Sequence, residues 1–197
     1  MAPMPEYDAL IFDCDGTLAD TMPAHYIAWS QTLSRYGLEF TEERFYAMGG
    51  IPTHRIVKTL SDESGLDLDA RTVGHEKEQC FHTLMDERPE LLLPIEPVVS
   101  IAQSHRGRLP MAVATGSPRW SATKTLDAIG VLDWFDHLVC SDDVNRHKPD
   151  PDVFLEAARR LNVAPASCCV YEDTDPGIEG ARRAGMDVVD IRSLLSD

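Results

Sequence analysis

No stretch of this chain approaches the about 20 consecutive apolar residues that a membrane-spanning helix requires. The opening Met1 to Leu10 lacks a basic segment leading into a long apolar one, so neither a span nor a secretory leader is expected and a cytoplasmic location follows. Internal repeats and low-complexity segments are absent, which argues against solenoids and unstructured linkers. Positive charge is scarce: 18 Lys and Arg face 33 Asp and Glu, for a formal net charge of -15. So acidic a chain repels polyanions at long range, which leaves nucleic acid and anionic membrane surfaces as poor partners. A small phosphorylated ligand would need positive charge supplied locally. The five cysteines, Cys14, Cys80, Cys140, Cys168 and Cys169, form no C-x-x-C pair and no zinc-ligand spacing. Most sit in apolar runs, where a free thiol behaves as a small hydrophobe.

What is present is an ordinary globular composition, 43% hydrophobic and 26% charged over 197 residues. That length suits one moderate domain, or a core with a small insertion. Apolar runs at Leu10 to Phe12, Met111 to Ala114, Leu138 to Cys140, Cys168 to Tyr171 and Val188 to Ile191 read as buried strands. Helical stretches between them argue for parallel strands with helical crossovers, an α/β fold. Asp150 and Pro151 read as N-cap and first position of a helix through Leu161, and a helix from Gly177 to Ala184 stops at Gly185.

Between the first two long runs lies an insertion without a convincing strand. Met22, Tyr26, Trp29, Leu33 and Tyr36 recur at three- and four-residue steps, marking a helix that ends at Gly37. Phe45 and Met48 mark a short helix after Thr41. Ile56, Val57 and Leu60 mark a third, ended near Gly65. Val73, Cys80, Phe81 and Leu84 mark a fourth, begun at Asp69 and closed before Pro89. The expected division is a core of residues 1–18 and 89–197, with a helical insert of residues 19–88.

The chemistry is concentrated where strands end, the place where open α/β sheets bind ligands. Asp13-Cys14-Asp15-Gly16-Thr17 follows the first strand, and strand alternation points both aspartates to one side. Burying carboxylates costs several kcal/mol without compensation, which a hard cation such as Mg2+ would provide. Thr115-Gly116-Ser117 follows the second run, Asp142 and Asp143 the third with Lys148 soon after, and Glu172-Asp173 the fourth. Singly, each has a bland reading as a turn, a cap or a solvated loop. Together and in this order they supply the parts of a phosphoryl-transfer site. Asp13 is the candidate nucleophile, taking the phosphoryl group as an aspartyl phosphate. Asp15 is the candidate general acid and then base. Thr115, with the Gly116 amide, would hold the transferring oxygens, and Lys148 would neutralise the phosphate. Asp13, Glu172 and Asp173, with the Asp15 backbone carbonyl, would ligate Mg2+.

These motifs together resemble those of the haloacid dehalogenase superfamily, over essentially the whole chain. The resemblance implies a Rossmann-like parallel sheet core, the first motif on its central strand, and an inserted α-helical cap domain. The second aspartate, Asp15, is the feature of that superfamily's phosphatases and phosphomutases. The stretch Ala19 to Trp29 and the run Glu172-Asp173-Thr174-Asp175-Pro176-Gly177-Ile178 resemble the β-phosphoglucomutase-like branch, nearest to its sugar phosphatases of the fructose-1-phosphate type. That implies a small phosphorylated sugar as substrate, a monomer, and substrate-binding roles for Gly116, Ser117, His25 and Lys77. His25 lies beside an apolar helix face, so a buried structural histidine competes with that role. One departure bears on the class. The mutases hold a second phosphate with an arginine shortly after a cap glycine, whereas Gly50-Ile51-Pro52-Thr53-His54-Arg55 places Thr53 there, with Arg55 two positions later. Loss of that fork favours hydrolysis over a mutase. A non-catalytic phospho-accepting switch is the rival from another class. Trp120 and Trp134 are expected in the core.

Overall fold

The computed structural model describes residues 7–48 and 53–195. Along the chain, β1 (Ala9–Phe12) and the two-residue β2 (Ala19–Asp20) precede four helices, α1 (Met22–Ser34), α2 (Glu42–Ala47), α3 (Thr53–Ser64) and α4 (Ala70–Glu87). Then come β3 (Leu93–Pro94), α5 (Glu96–His105), β4 (Met111–Ala114), α6 (Arg119–Ala128) and β5 (His137–Val139). The chain finishes with α7 (Asp152–Leu161), β6 (Cys168–Glu172), α8 (Asp175–Arg183) and β7 (Asp187–Asp190). It divides into two compact units, one built up to Asp20 and from Leu93 onward, the other Thr21–Leu92.

The first unit is an α/β layer structure around a five-stranded sheet in the order β5-β4-β1-β6-β7, in which every pairing is parallel. Parallel neighbours require crossovers, and α5 to α8 supply them. Both faces are therefore covered, and the central strands β1, β4 and β6 are buried along their length. Ala9 and Ile11 pack on one side with Phe154 and Ala157 of α7 and Ala181 of α8. Leu10 and Phe12 pack on the other with Val98 of α5 and Leu126 of α6, and the Phe12 ring stacks on Tyr171 at 4.8 Å. All five cysteines are free and buried, as filler.

The helical unit has two apolar clusters, one around Trp29, Leu33, Phe40, Phe45, Val57 and Val73, the other around Ala28, Phe81 and Leu84. Its caps follow local chemistry. The Thr41 side chain accepts from the Arg44 N–H, and Asp69 accepts from the Thr72 N–H, satisfying donors that a helix start leaves orphaned. Leu91 and Leu92, expected with the core, pack with α4 instead, so this unit runs to Leu92.

Several local expectations change. The N-cap of α7 is Pro151, with no side-chain cap bond, so Asp150 lies one position outside it. Helix α8 begins at Asp175, two residues early, because Thr174 Oγ1 accepts from the Gly177 N–H at 3.1 Å. A short strand does open the segment after β1, since Ala19–Asp20 pairs antiparallel with Leu93–Pro94. Trp120 is not in the core but 38% exposed, whereas Trp134 packs partly buried against the second face of the sheet. Among the described residues no helix is long and apolar enough to cross a membrane.

Candidate active site

Strand β1 is central, and the chain leaving it makes one more ladder bond, from the Asp13 N–H to the Tyr171 carbonyl at 3.0 Å. The strand ends at Phe12, so Asp15 is placed by a tight turn and not by continued alternation. The Cys14 carbonyl accepts from the amides of Thr17, Leu18 and Ala19, and the Gly16 N–H donates to the Ala19 carbonyl at 2.8 Å. Gly16 sits at φ +88°, and an added Cβ would run into the Asp173 carboxylate. A glycine is required there both for conformation and for space.

Lys148 joins the ends of two strands. Its Nζ lies 2.6 Å from Asp13 Oδ1 and 3.2 Å from Glu172 Oε1, and all three side chains are almost entirely buried. Carboxylate oxygens of Asp13, Glu172 and Asp173 lie within 4.8 Å of one another. Three clustered carboxylates thus share one ammonium. Burial pushes the Asp13 carboxyl well above the carboxylate range, Glu172 and Asp173 push it further, and Lys148 opposes them. Burial and Glu172 push Asp173 up to about 7, against the pull of its hydrogen bond from Thr17. Burial alone would lower the Lys148 ammonium, but Asp13 and Glu172 hold it above the ordinary lysine value. An all-oxygen, charge-rich donor set of this kind fits a hard divalent cation.

Glu172 is the most heavily bonded member. Its Oε2 accepts from the Asp173 N–H at 2.7 Å, and its Oε1 from Thr174 Oγ1 at 2.8 Å. The carboxylate folds back over the start of α8, where an added Cβ on Gly177 would occupy its place. Thr17 Oγ1 donates to Asp173 Oδ1 at 2.8 Å. Thr17 and Thr174 therefore shape the cluster although sequence reasoning assigned them no role; the signal was their place inside the two acidic motifs.

The second strand-end loop meets the first. Thr115 is buried, with its N–H on the Val139 carbonyl at 2.9 Å and its Oγ1 accepting from the Ser117 N–H at 3.0 Å. Gly116 borders open space. Ser117 Oγ donates to Asp15 Oδ2 at 2.5 Å. Asp142 and Asp143 stand apart from the acidic cluster and brace loops: Asp142 accepts from the Arg119 N–H at 2.7 Å. Asp143 accepts from the Cys140 N–H at 2.8 Å and pairs with Arg119 and Arg160.

The two remaining candidates belong to the helical unit. Lys77 Nζ donates to His25 Nδ1 and to Glu78, each at 2.9 Å, and the His25 ring stacks on Phe81 at 3.9 Å. Burial, with the Lys77 charge beside it, holds the His25 imidazole well below 6.5. Of the loop read for a second phosphate, Gly50, Ile51 and Pro52 lie outside the described residues, while Thr53 opens α3 and Arg55 is exposed.

The family description "Haloacid dehalogenase-like hydrolase" matches residues 10–191. The fructose-1-phosphate phosphatase YqaB of Escherichia coli (strain K12) is 42% identical over 188 residues, covering 95% of this chain and 98% of its own. A phosphorylated carbohydrates phosphatase of Thermotoga maritima is 32% identical over 184 residues, covering 91% and 82%. Among solved structures, a β-phosphoglucomutase of Clostridium difficile superposes with a TM-score of 0.72 at 26% identity, covering 96% of this chain and 87% of that one.

Proposed function

The chain belongs to the haloacid dehalogenase-like hydrolases, and from that footing we propose a Mg2+-dependent phosphatase that hydrolyses a small sugar phosphate, fructose 1-phosphate or a close analogue, through an aspartyl phosphate on Asp13. As a phosphoric monoester hydrolase it keeps company with relatives named as sugar and carbohydrate phosphatases. The observation that carries the reading is the Lys148 ammonium 2.6 Å from Asp13, at the rim of a buried three-carboxylate cluster. A carboxylate so placed is a nucleophile whose charge the ammonium balances.

In this reading Asp13 attacks phosphorus, dividing one difficult displacement into two easier ones. Lys148 offsets the negative charge that accumulates as the phosphoryl group arrives. The Thr115 hydroxyl and the Gly116 amide orient the phosphoryl oxygens. Asp15 protonates the leaving sugar oxygen and then takes a proton from the attacking water. Asp13, Glu172, Asp173 and the Asp15 backbone carbonyl would hold Mg2+, which when bound supplies positive charge to the phosphoryl oxygens. The helical unit, residues 21–92, takes the cap role, with His25 and Lys77 as its substrate contacts, and the chain acts as a cytoplasmic monomer.

The test is phosphate release with Mg2+ across hexose and pentose monophosphates, fructose 1-phosphate and β-glucose 1-phosphate included, beside Asp13→Asn. Release that vanishes in the variant supports the reading. Conversion of β-glucose 1-phosphate to glucose 6-phosphate on addition of a bisphosphate would make the protein a mutase. A long-lived phosphoaspartate without turnover would make it a switch.

A further inference from the structure

Helix α6 begins with a residue that cannot cap it. Pro118 stands at the N-cap, and a proline side chain offers no acceptor to the amides that a helix start leaves open. The acceptor comes from another loop instead, where Asp142 Oδ2 takes the Arg119 N–H at 2.7 Å. Its neighbour Asp143 takes the Arg119 guanidinium at 2.6 Å on the same oxygen that accepts from the Cys140 N–H at 2.8 Å, and its other oxygen pairs with Arg160 of α7 at 2.9 Å. Arg119 also donates to the Leu138 carbonyl at 3.1 Å. Bonds to ionised carboxylates are shorter and stronger than neutral ones, so this junction is a firm one. Between β4 and α6 runs the loop that offers Thr115 and Gly116 to the phosphoryl oxygens. The Thr115 N–H donates to the Val139 carbonyl at 2.9 Å, and the Ser117 carbonyl accepts from the Ser141 N–H at 3.1 Å. Gly116 between them is exposed, and a side chain there would meet nothing within 4 Å. The loop is therefore held by its tethers to residues 138–143.

We propose that Asp142 and Asp143 are positioning residues for phosphoryl transfer: by fixing the start of α6, Asp142 through the Arg119 amide and Asp143 through the Arg119 guanidinium, they hold the Thr115–Gly116 loop in the geometry that the transferring oxygens require. This rests on the phosphatase reading above. Neither aspartate belongs to the three-carboxylate cluster at Asp13, and both act through the loop. Donors aimed at developing charge work because they are already in place when the charge appears, and a misplacement of about 1 Å costs on the order of 10² in rate. An acid that served the helix alone would contribute to stability and leave the rate untouched.

The same phosphoryl oxygens are held in both half-reactions and for every ester, so the signature is a loss that ignores the leaving group. Steady-state kinetics with Mg2+ on fructose 1-phosphate and p-nitrophenyl phosphate would compare wild type, Asp142→Ala, Asp142→Asn and Asp143→Ala, each checked by circular dichroism and thermal melting. Inhibition by orthovanadate, which mimics five-coordinate phosphorus, is measured beside them. In the two Ala variants kcat is expected to fall about tenfold on both esters, a fraction of the 10²–10³ that losing one oxyanion donor costs, and the inhibition constant of orthovanadate should rise by about the same factor. KM should stay close to wild type, as for an interaction made only in the transition state. Asp142→Asn, whose amide oxygen still accepts from the Arg119 N–H, should restore most of the rate. Ala variants that melt earlier yet keep the wild-type kcat and orthovanadate inhibition, or that lose only KM, overturn the inference while the phosphatase reading stands. So does an Asp142→Asn protein as impaired as Asp142→Ala. Wild type that hydrolyses neither ester overturns both.

Discussion

Replacing Asp173 by Asn should make the metal-free protein more stable at alkaline pH while removing its response to Mg2+. Asp173 is crowded by burial and by Glu172, which raise its carboxyl from 3.8 to about 7. At about 1.4 kcal/mol per tenfold change in the proton equilibrium, the ionised side chain opposes folding by on the order of 4 kcal/mol above that pH. Asn carries no charge, and its carbonyl oxygen can still accept from Thr17 Oγ1, so most of that opposition disappears; a net gain of roughly 2–4 kcal/mol is expected. The sign reverses with acid. A carboxyl whose pKa is raised by folding destabilises fully above its folded value and not at all below its unfolded one. The advantage of the variant should therefore shrink between 7 and 3.8. The assay is urea denaturation in a chelator at about pH 8 and about pH 5, with and without Mg2+; a change in midpoint at constant slope reads the difference. Binding to the folded state alone raises stability by linkage, so Mg2+ should shift wild type and leave Asp173→Asn nearly unmoved. A variant less stable than wild type in chelator at the higher pH, or an advantage that persists undiminished in acid, would refute the argument.

Two further substitutions probe the packing around this chemistry. Gly177→Ala places a methyl where the Glu172 carboxylate lies; a loss of about 1–3 kcal/mol is expected from overpacking, with phosphate release falling as Glu172 is displaced from Lys148, both readable by thermal melting and steady-state assay. For His25, whose imidazole is held below its ordinary 6.5 by burial and Lys77, the unfolded chain binds more protons in acid. Folding stability should drop by at most about 2 kcal/mol between pH 6.5 and 5 on this account, and the difference between wild type and His25→Gln in denaturation midpoints across that range should show it; parallel curves for the two proteins would sink the idea.

Much of this was legible in one dimension because its causes are local. The four inserted helices announce themselves through apolar residues at three- and four-residue steps, and two of their starts through Thr41 and Asp69, whose side chains bond amides only three residues ahead. The three central strands were visible as apolar runs because a parallel sheet is covered on both faces there. The edge strands β5 and β7 carry fewer apolar residues and begin one residue earlier than their apolar runs, at His137 and Asp187. What escaped notice depends on partners far along the chain. Strands β2 and β3 are two residues each, and their pairing joins Asp20 to Leu93. Trp120 looked like core from its character alone, and only the direction of α6 leaves it 38% exposed. Asp142 and Asp143 follow a strand as the acidic motifs do, yet they brace loops, because Arg119 arrives beside both and Arg160 beside Asp143 from other elements.

By itself, then, the amino-acid order determined the class of fold, the placement of acids, hydroxyls and one lysine at strand ends, and the residue types a phosphoryl-transfer site needs. Those follow from periodicity and from which groups tolerate burial. Only the tertiary structure decided which of these groups share a space: Lys148 spanning 135 residues to Asp13, Thr17 reaching 156 residues to Asp173, and Ser117 holding one oxygen of Asp15 across 102 residues. The physical reason is that charge balance and hydrogen-bond saturation are properties of volumes a few ångströms across, and a parallel sheet fills such a volume from strand ends that are distant along the chain.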